Sequence, residues 1–212
     1  MKSKRRTIIF LLFILLNFNI SDLPVSAQKV GETKIYKGMC DASAAVALDE
    51  NTFIVANDED NDLRIFDKSN PVELRRIKLS EIFPGKISDG NNLEIDLEGA
   101  TWVGDKIFWI GSHSASKNGK ARPSRHRLFA VKISNNDTGK FNVVSAGKIY
   151  TDLISDLEKD ARFKDFKLKE ARNIKPKDIG GLSIEALAAT PEGHLFIGFR
   201  NPLLGGKTSS EK

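Results

Sequence analysis

Two glutamates, Glu98 and Glu185, occupy equivalent positions in a pattern that recurs along the chain. Paired carboxylates can coordinate a divalent cation, or they can polarise a water molecule for hydrolysis. The alternative role is structural, because buried acids also accept backbone N–H bonds and tie neighbouring elements together. We treat both glutamates as candidate metal ligands and, together with His113, as candidate catalytic groups.

Three aspartates, Asp58, Asp60 and Asp62, alternate along one segment and offer the oxygen ligands that Ca²⁺ prefers. The segment departs from the EF-hand template, because Leu63 stands where the template has glycine and Ser69 where it has glutamate. The alternative is a solvated acidic loop. Calcium is the cofactor that the sequence suggests, and these aspartates are further candidate ligands for it.

A set of basic and amide side chains lies near the ends of the predicted strands and could bind an anion. Arginine suits phosphate and carboxylate because its guanidinium makes two parallel hydrogen bonds to such groups. The alternative is that these side chains form ion pairs with the acidic residues. The candidate ligand-binding residues are Arg125, His126, Arg127, Arg200 and Asn201.

Common catalytic motifs do not accompany these residues. The sequence lacks the nucleophile elbow Gly-x-Ser-x-Gly, the Walker phosphate loop, the His-Glu-x-x-His metal motif and the dinucleotide fingerprint. It has a single cysteine, Cys40, so neither an internal disulfide nor a cysteine zinc site can form. The candidates for chemistry are therefore the carboxylates, arginines and histidines named above.

These candidates must be positioned by a pattern that occurs three times, at residues 43–56, 98–111 and 185–198. Each copy runs from small and apolar residues through turn residues to a β-branched and aromatic segment, which predicts a β-hairpin. The turn lies at one end of a hairpin and both strand ends lie at the other. The loops that enter and leave the hairpins should therefore converge on one face, where propellers have a channel mouth.

Further strands are predicted after the first two hairpins. Residues 63–67 and 127–133 alternate between apolar and polar side chains, and residues 72–79 and 141–149 can supply fourth strands. The prediction is an all-β fold, a partial β-propeller of about two and a half four-stranded antiparallel blades. It includes a short helical insertion around residues 152–160. An unrelated β-sandwich is the alternative.

Residues 1–27 have the three parts of a signal peptide: a basic start at residues 2–6, an apolar core at residues 8–16, and small residues before a cleavage point after Ala27. The alternative is a membrane anchor. The apolar core is shorter than the roughly 20 residues that a spanning helix needs. We expect cleavage and export to the periplasm or the extracellular space, with no stable membrane anchor afterwards.

Cleavage would leave residues 28–206 as an incomplete β-propeller domain, followed by a polar tail at residues 207–212. The formal net charge is +5, and the signal peptide holds four of the 33 basic and one of the 28 acidic residues. The nearly neutral remainder excludes the strongly basic surface that nucleic-acid binding requires.

Several stretches carry a resemblance to a family. The chain resembles the bacterial exported proteins catalogued as domain of unknown function 3616 at residues 38–44, 96–101, 111–114 with 125–129, 180–185 and 198–202. The resemblance implies a β-propeller-like fold without an established activity, and a more remote similarity to phytase-like and esterase-like propellers. Ser183 and Ala186 depart from the family, which tends to have asparagine and glycine there. Family members continue through further blades, so the resemblance implies a fragment or a ring completed by another chain.

Three functional hypotheses follow. The first is an exported domain that binds a small anionic ligand or a protein partner at the polar mouth of its channel. The second is a calcium-dependent hydrolase of phosphoesters or carboxylesters that uses the same mouth. The third is an inactive fragment.

Overall fold

The computed structural model of the chain describes residues 33–87, 93–135 and 140–204. The predicted signal peptide at residues 1–27 and the predicted tail at residues 207–212 lie outside the described residues. Within the three described ranges, no helix is both long enough and apolar enough to cross a membrane.

The first sheet is antiparallel, and its four strands pair in chain order. The turn of its first hairpin is held by the Asp49 carboxylate, which accepts hydrogen bonds of 2.7 Å from the backbone N–H groups of Asn51 and Thr52. The predicted hairpin and both predicted outer strands of this sheet are confirmed. A short helix, α1 (Leu79–Ile82), follows the last strand. The strands are β1 (Ala42–Ala47), β2 (Thr52–Asn57), β3 (Asp62–Asp67) and β4 (Asn70–Lys78).

The second sheet repeats this arrangement with four antiparallel strands in chain order. Its first turn needs only two residues, because Gly104 adopts a φ of 59° that glycine reaches without strain. A 3₁₀ helix, Pro123–Arg125, lies in the connection between the second and third strands. The predicted hairpin and outer strands are again confirmed. The strands are β5 (Leu97–Val103), β6 (Lys106–Gly111), β7 (Leu128–Asn135) and β8 (Phe141–Ser145).

The third sheet, as far as the structure describes it, is the hairpin of β9 (Ser183–Ala189) and β10 (Leu195–Asn201). Before it lie α2 (Leu153–Lys159), a 3₁₀ helix (Ala161–Phe166) and α3 (Leu168–Ala171). The helix predicted around residues 152–160 is therefore confirmed. So is the mostly β architecture of antiparallel four-stranded sheets; none of the described sheets closes on itself.

Two apolar clusters hold these elements together. The first lies between the two four-stranded sheets, and fully buried Leu63, Leu97 and Trp109 belong to it. The second packs the β9–β10 hairpin against the second sheet and the helices, through Ile184 and Ile154 among others. Burial of such side chains provides the main stabilisation, at about 1.5–3 kcal/mol for each large apolar side chain.

The three strands rich in small residues lie side by side, since β5 contacts both β1 and β9. The approach of β5 to β9 is close at Gly99, where an added Cβ would lie 2.6 Å from the Leu187 backbone nitrogen. Only glycine fits there. The close approach brings the N-terminal ends of these strands, and the residues that precede them, into one neighbourhood.

Candidate functional site

A cavity of about 680 Å³ is lined by residues from the ends of all three hairpins. Asp58 directly follows β2, Glu98 lies in β5, Glu185 in β9 and Arg200 in β10. Long connections complete the wall with further cationic side chains. These are Lys117 and Arg125 from the β6–β7 connection, and Lys175 and Lys177 from the segment before β9.

Each strand rich in small residues has a β-bulge at the same point of the repeat. Pairing shifts between Ala42 and Ala44 in β1, between Leu97 and Gly99 in β5, and between Ile184 and Ala186 in β9. A bulge leaves one residue unpaired and redirects its side chain. The unpaired residues are Ser43, Glu98 and Glu185, and all three line the cavity.

Three carboxylates converge on one part of this cavity. Asp58, Asp96 and Glu98 each offer an oxygen, and these oxygens lie within 4.8 Å of one another. Asp96 precedes β5 with a φ of 58°, a left-handed conformation that aspartate tolerates better than most residues. Its backbone carbonyl accepts a hydrogen bond of 2.8 Å from the Ser112 N–H, which fixes this conformation to the end of β6. The spacing is suitable for oxygen coordination of a cation.

Burial and mutual repulsion raise the pKa values of these three acids. Burial, with the charges of Asp96 and Glu185 nearby, raises the pKa of Glu98 to about 8. Burial, with the charges of Asp41 and Asp96, raises the pKa of Asp58 to about 6. The pKa of Asp96 is also raised, chiefly by burial. A bound cation would reverse these shifts, because it favours the ionised forms.

Arg125 partly offsets this negative charge. Its Nη1 lies 2.8 Å from the Asp96 carboxylate and donates to the Ser114 hydroxyl at 2.7 Å, while its Nη2 pairs with Glu94. The guanidinium is therefore engaged in holding Asp96 and the segment before β5. As a predicted ligand-binding residue, Arg125 lies in the cavity wall, but its donors are largely occupied.

Glu185, in the third copy of the repeat, is a further acid of the cavity and has different neighbours. Glu185 accepts a hydrogen bond of 2.7 Å from the Ser183 hydroxyl and lies 3.5 Å from Arg200, whose side chain is half exposed. Among the residues described, Lys117, Lys175 and Lys177 line the same cavity without an ion-pair partner. The cavity therefore combines a carboxylate cluster with cations that are free to meet an anion.

The structure does not bring the predicted calcium loop together. Asp60 pairs with the buried guanidinium of Arg64 at 2.6 Å, and Asp62 begins β3 and lies 3.9 Å from Arg76. Neither aspartate lines the cavity. The chain bends at residues 58–61 between β2 and β3, so alternate side chains do not share one face there. Of Asp58, Asp60 and Asp62, only Asp58 joins the acid cluster.

The histidines also lie away from the cavity wall. His113 is fully buried, its Nδ1 lies 2.8 Å from the Gly111 carbonyl, and its ring stacks on His126 with centroids 5.4 Å apart. Burial lowers the pKa of His113 to about 4. Arg127 lines a separate cavity, and the Asn201 amide donates to the Pro176 carbonyl at 3.0 Å. The arrangement places Glu98, Glu185 and Arg200 together, and His113, His126 and Arg127 elsewhere.

Sequence reasoning placed Asp96 on the face where the channel mouth was expected, but did not select it as a metal ligand or catalytic residue, although it lies two positions before Glu98. The pair Asp-Leu-Glu has the spacing that puts two side chains on one side of an extended segment, and this signal could have identified it. Lys117, Lys175 and Lys177 come from long connections, where the sequence offers no comparable periodicity.

Comparison with known families gives one match. The family described as "Protein of unknown function (DUF3616)" matches residues 41–138 and 129–209, which include every candidate site residue. No curated protein matches the chain.

Proposed function

The chain belongs to the DUF3616 family of proteins of unknown function, and from that premise we propose that it is a binding domain for a small anionic ligand that a Ca²⁺ ion helps to hold. The observation that carries this proposal is the convergence of Asp58, Asp96 and Glu98 within 4.8 Å in a cavity whose lysines have no ion-pair partner among the described residues. The acids alone would repel an anion. A cation on them would attract it.

The chemistry of the ligands favours calcium as this cation. Ca²⁺ takes six to eight oxygen ligands in flexible geometry, so three carboxylates leave coordination positions for water and for oxygens of the anion. Arg200 can then contact the anion from the same wall, with Lys117, Lys175 and Lys177 adding positive charge. A protein partner with an exposed acidic group could present the same chemistry.

The fold that we propose is a partial β-propeller, with the β5 sheet between the other two. The support is the threefold repeat of the hairpin, the contacts of β5 with β1 and β9, and the bulges that direct Ser43, Glu98 and Glu185 to one cavity. Propellers use such a mouth for binding and catalysis.

Export remains part of the proposal. Residues 1–27 would be removed as a signal peptide, residues 28–206 would form the domain and residues 207–212 its tail. Outside the cytoplasm, calcium sites with dissociation constants of about 10⁻⁴–10⁻³ M are occupied and useful. A weak three-carboxylate site is consistent with that setting.

A second candidate function is metal-dependent hydrolysis of a phosphoester or carboxylester. The raised pKa values of Glu98 and Asp58 favour it, because perturbed carboxyl groups concentrate at catalytic sites. In such an enzyme Asp58, Asp96 and Glu98 would hold the cation, which would lower the pKa of a water molecule bound to it. Glu98, ionised beside the cation, would take up the proton of the attacking water and would return it to the leaving alkoxide.

Thermal unfolding of the full chain tests the proposal. Ca²⁺ at 100 times its dissociation constant should raise the melting temperature by roughly 5–10 °C, and the further rise on adding phosphate should be larger with Ca²⁺ than with EDTA. Glu98→Gln should abolish the Ca²⁺ shift and this difference, whereas Glu192→Gln, in the exposed β9–β10 turn, should keep them. Absence of any shift in the intact chain would support the inactive fragment. Calcium-dependent hydrolysis of a generic phosphomonoester or carboxylester, lost in Glu98→Gln, would favour the enzyme.

A further inference from the structure

A second cavity, of about 400 Å³, lies beside the 3₁₀ helix Pro123–Arg125 and shares no lining residue with the cavity described above. Lys86, Arg122 and Arg127 contribute three positive charges to its wall. Of the residues that the structure describes there, none is acidic. Among the described residues, the first, acid-lined cavity therefore has both acids and cations in its wall, whereas the charged residues of the second are all cations.

Arg127 is the most informative of these cations. Its Nη1 donates to the backbone carbonyls of Pro123 at 2.8 Å and His126 at 3.0 Å, so the guanidinium is held in place by neutral groups. Burial lowers its pKa. Within the described ranges it has no carboxylate partner, and its Nε and Nη2 groups donate to no protein acceptor. Partial burial of a cation without a counter-charge lowers the stability of the fold, unless a bound anion supplies that charge.

The other two cations strengthen this conclusion. Arg122 is half-buried and Lys86 is exposed, and neither forms an ion pair in the part of the chain that the structure describes. The 3₁₀ helix separates the arginines of this segment: Arg125 turns to the acid-lined cavity, while Arg122 and Arg127 line the second. Although Arg122, Arg125 and Arg127 lie within six residues of one another, they therefore line two different cavities.

Apart from Ser124, the remaining described wall is apolar. Ile87 and Ile95 are buried beneath the cavity surface, and Leu93 and Pro123 line it from exposed positions. Pockets of about 300–1,000 Å³ hold small ligands, with few charged groups fixing the orientation and apolar walls supplying contact area. This cavity falls in that range.

We propose that this second cavity binds a small organic phosphate, with the phosphate on Arg122, Arg127 and Lys86 and its apolar substituent against Leu93 and Pro123. Three cations match a phosphate dianion better than a single carboxylate. Arg127 offers the planar pair of donors that two phosphate oxygens accept. The apolar wall predicts preference for a phosphate monoester over inorganic phosphate. This inference is independent of the calcium-assisted site.

Isothermal titration calorimetry of the full chain with phenyl phosphate tests the inference, with EDTA present so that no divalent cation acts at the acid-lined cavity. Phenyl phosphate should bind more tightly than inorganic phosphate. Arg122→Gln and Lys86→Gln should each weaken its binding by about tenfold, the loss expected for one charge-assisted hydrogen bond. Arg127→Lys, which keeps the charge but loses the paired donors, should also weaken it.

Two control variants separate this site from the rest of the surface. Lys148→Gln removes an exposed lysine outside both cavities, and Arg200→Gln removes a cation of the acid-lined cavity. Both should bind phenyl phosphate as the unmodified chain does. The inference is overturned if phenyl phosphate does not bind, if Arg122→Gln and Lys86→Gln bind it unchanged, or if Arg200→Gln weakens it as much. A failed calcium response would leave this result unaffected.

Discussion

Asp58, Asp96 and Glu98 place three carboxyl groups where water can only partly solvate them, and their pKa values rise as a result. Arg125 compensates for part of the charge, but it is shared between Asp96 and Glu94. Folding the metal-free chain therefore requires either protonation of an acid or repulsion between acids. A cation removes this conflict, which is why the cluster suits one.

Glu98 should make stability depend on pH in the absence of metal. Its pKa is about 8 in the folded chain against an ordinary 4.5. Between these values the folded protein holds a proton that the unfolded chain has released, so the free energy of unfolding falls as pH rises through this window and levels off above it. With EDTA, the melting temperature should drop between about pH 6.5 and pH 8.5, above the titration of Asp58.

The matched variants are Glu98→Gln, which should remove most of this drop, and Glu192→Gln, which should keep it. Circular dichroism melts at several pH values measure it. The same drop in Glu98→Gln as in the unmodified chain would show that another group causes it.

At the scale of elements, the repeat could be predicted well from the sequence. Turn residues and apolar alternation are local signals, and they located all three hairpins and the outer strands. The bulges at Ser43, Glu98 and Glu185 could not be predicted, because a bulge depends on pairing with the neighbouring strand. The repeat predicted that Glu98 and Glu185 occupy equivalent positions, but it did not predict that Asp58 and Asp96 lie beside Glu98. The ion pair of Asp60 with Arg64 could not be predicted either, because it depends on the burial of Arg64 in the following strand.

The close approach of β5 and β9 should make Gly99 sensitive to substitution. Gly99→Ala would place a Cβ 2.6 Å from the Leu187 nitrogen, so the strands would have to separate. We expect a loss of about 1–3 kcal/mol in the free energy of unfolding, the usual effect of overpacking. Urea denaturation measures it.

Ala45→Ser is the control for this prediction. It also adds one heavy atom to a strand rich in small residues, but at an exposed position of β1. Its effect should stay within about 0.5 kcal/mol. Equal effects of the two substitutions would argue against tight packing at Gly99.

At the scale of the whole molecule, the first and third sheets differ in the side chains that they expose to solvent. The β9–β10 hairpin has two strands within the described residues, and Phe196 is 65% exposed on it. Exposed strand edges with large apolar side chains promote association. The four-stranded first sheet instead ends on β4, which has several charged side chains.

The full chain should therefore self-associate through the β9–β10 hairpin. Phe196→Lys should increase the monomer fraction in sedimentation velocity, because a charge on this surface opposes pairing. Val72→Lys, at a 56% exposed position of β4, should leave the fraction unchanged. A monomeric unmodified chain at all concentrations, or an equal effect of both substitutions, would contradict this prediction.

The central claim is that Asp58, Asp96 and Glu98 hold a calcium ion, and calorimetric titration of Ca²⁺ into the EDTA-stripped full chain tests it most directly. We predict one site per chain with a dissociation constant of about 10⁻⁴–10⁻³ M or lower, lost in Glu98→Gln and Asp58→Asn and retained in Glu192→Gln. Proton release should accompany binding near pH 7, because the cation displaces the proton of Glu98. Absence of binding heat, or binding that Glu98→Gln leaves intact, would contradict the account.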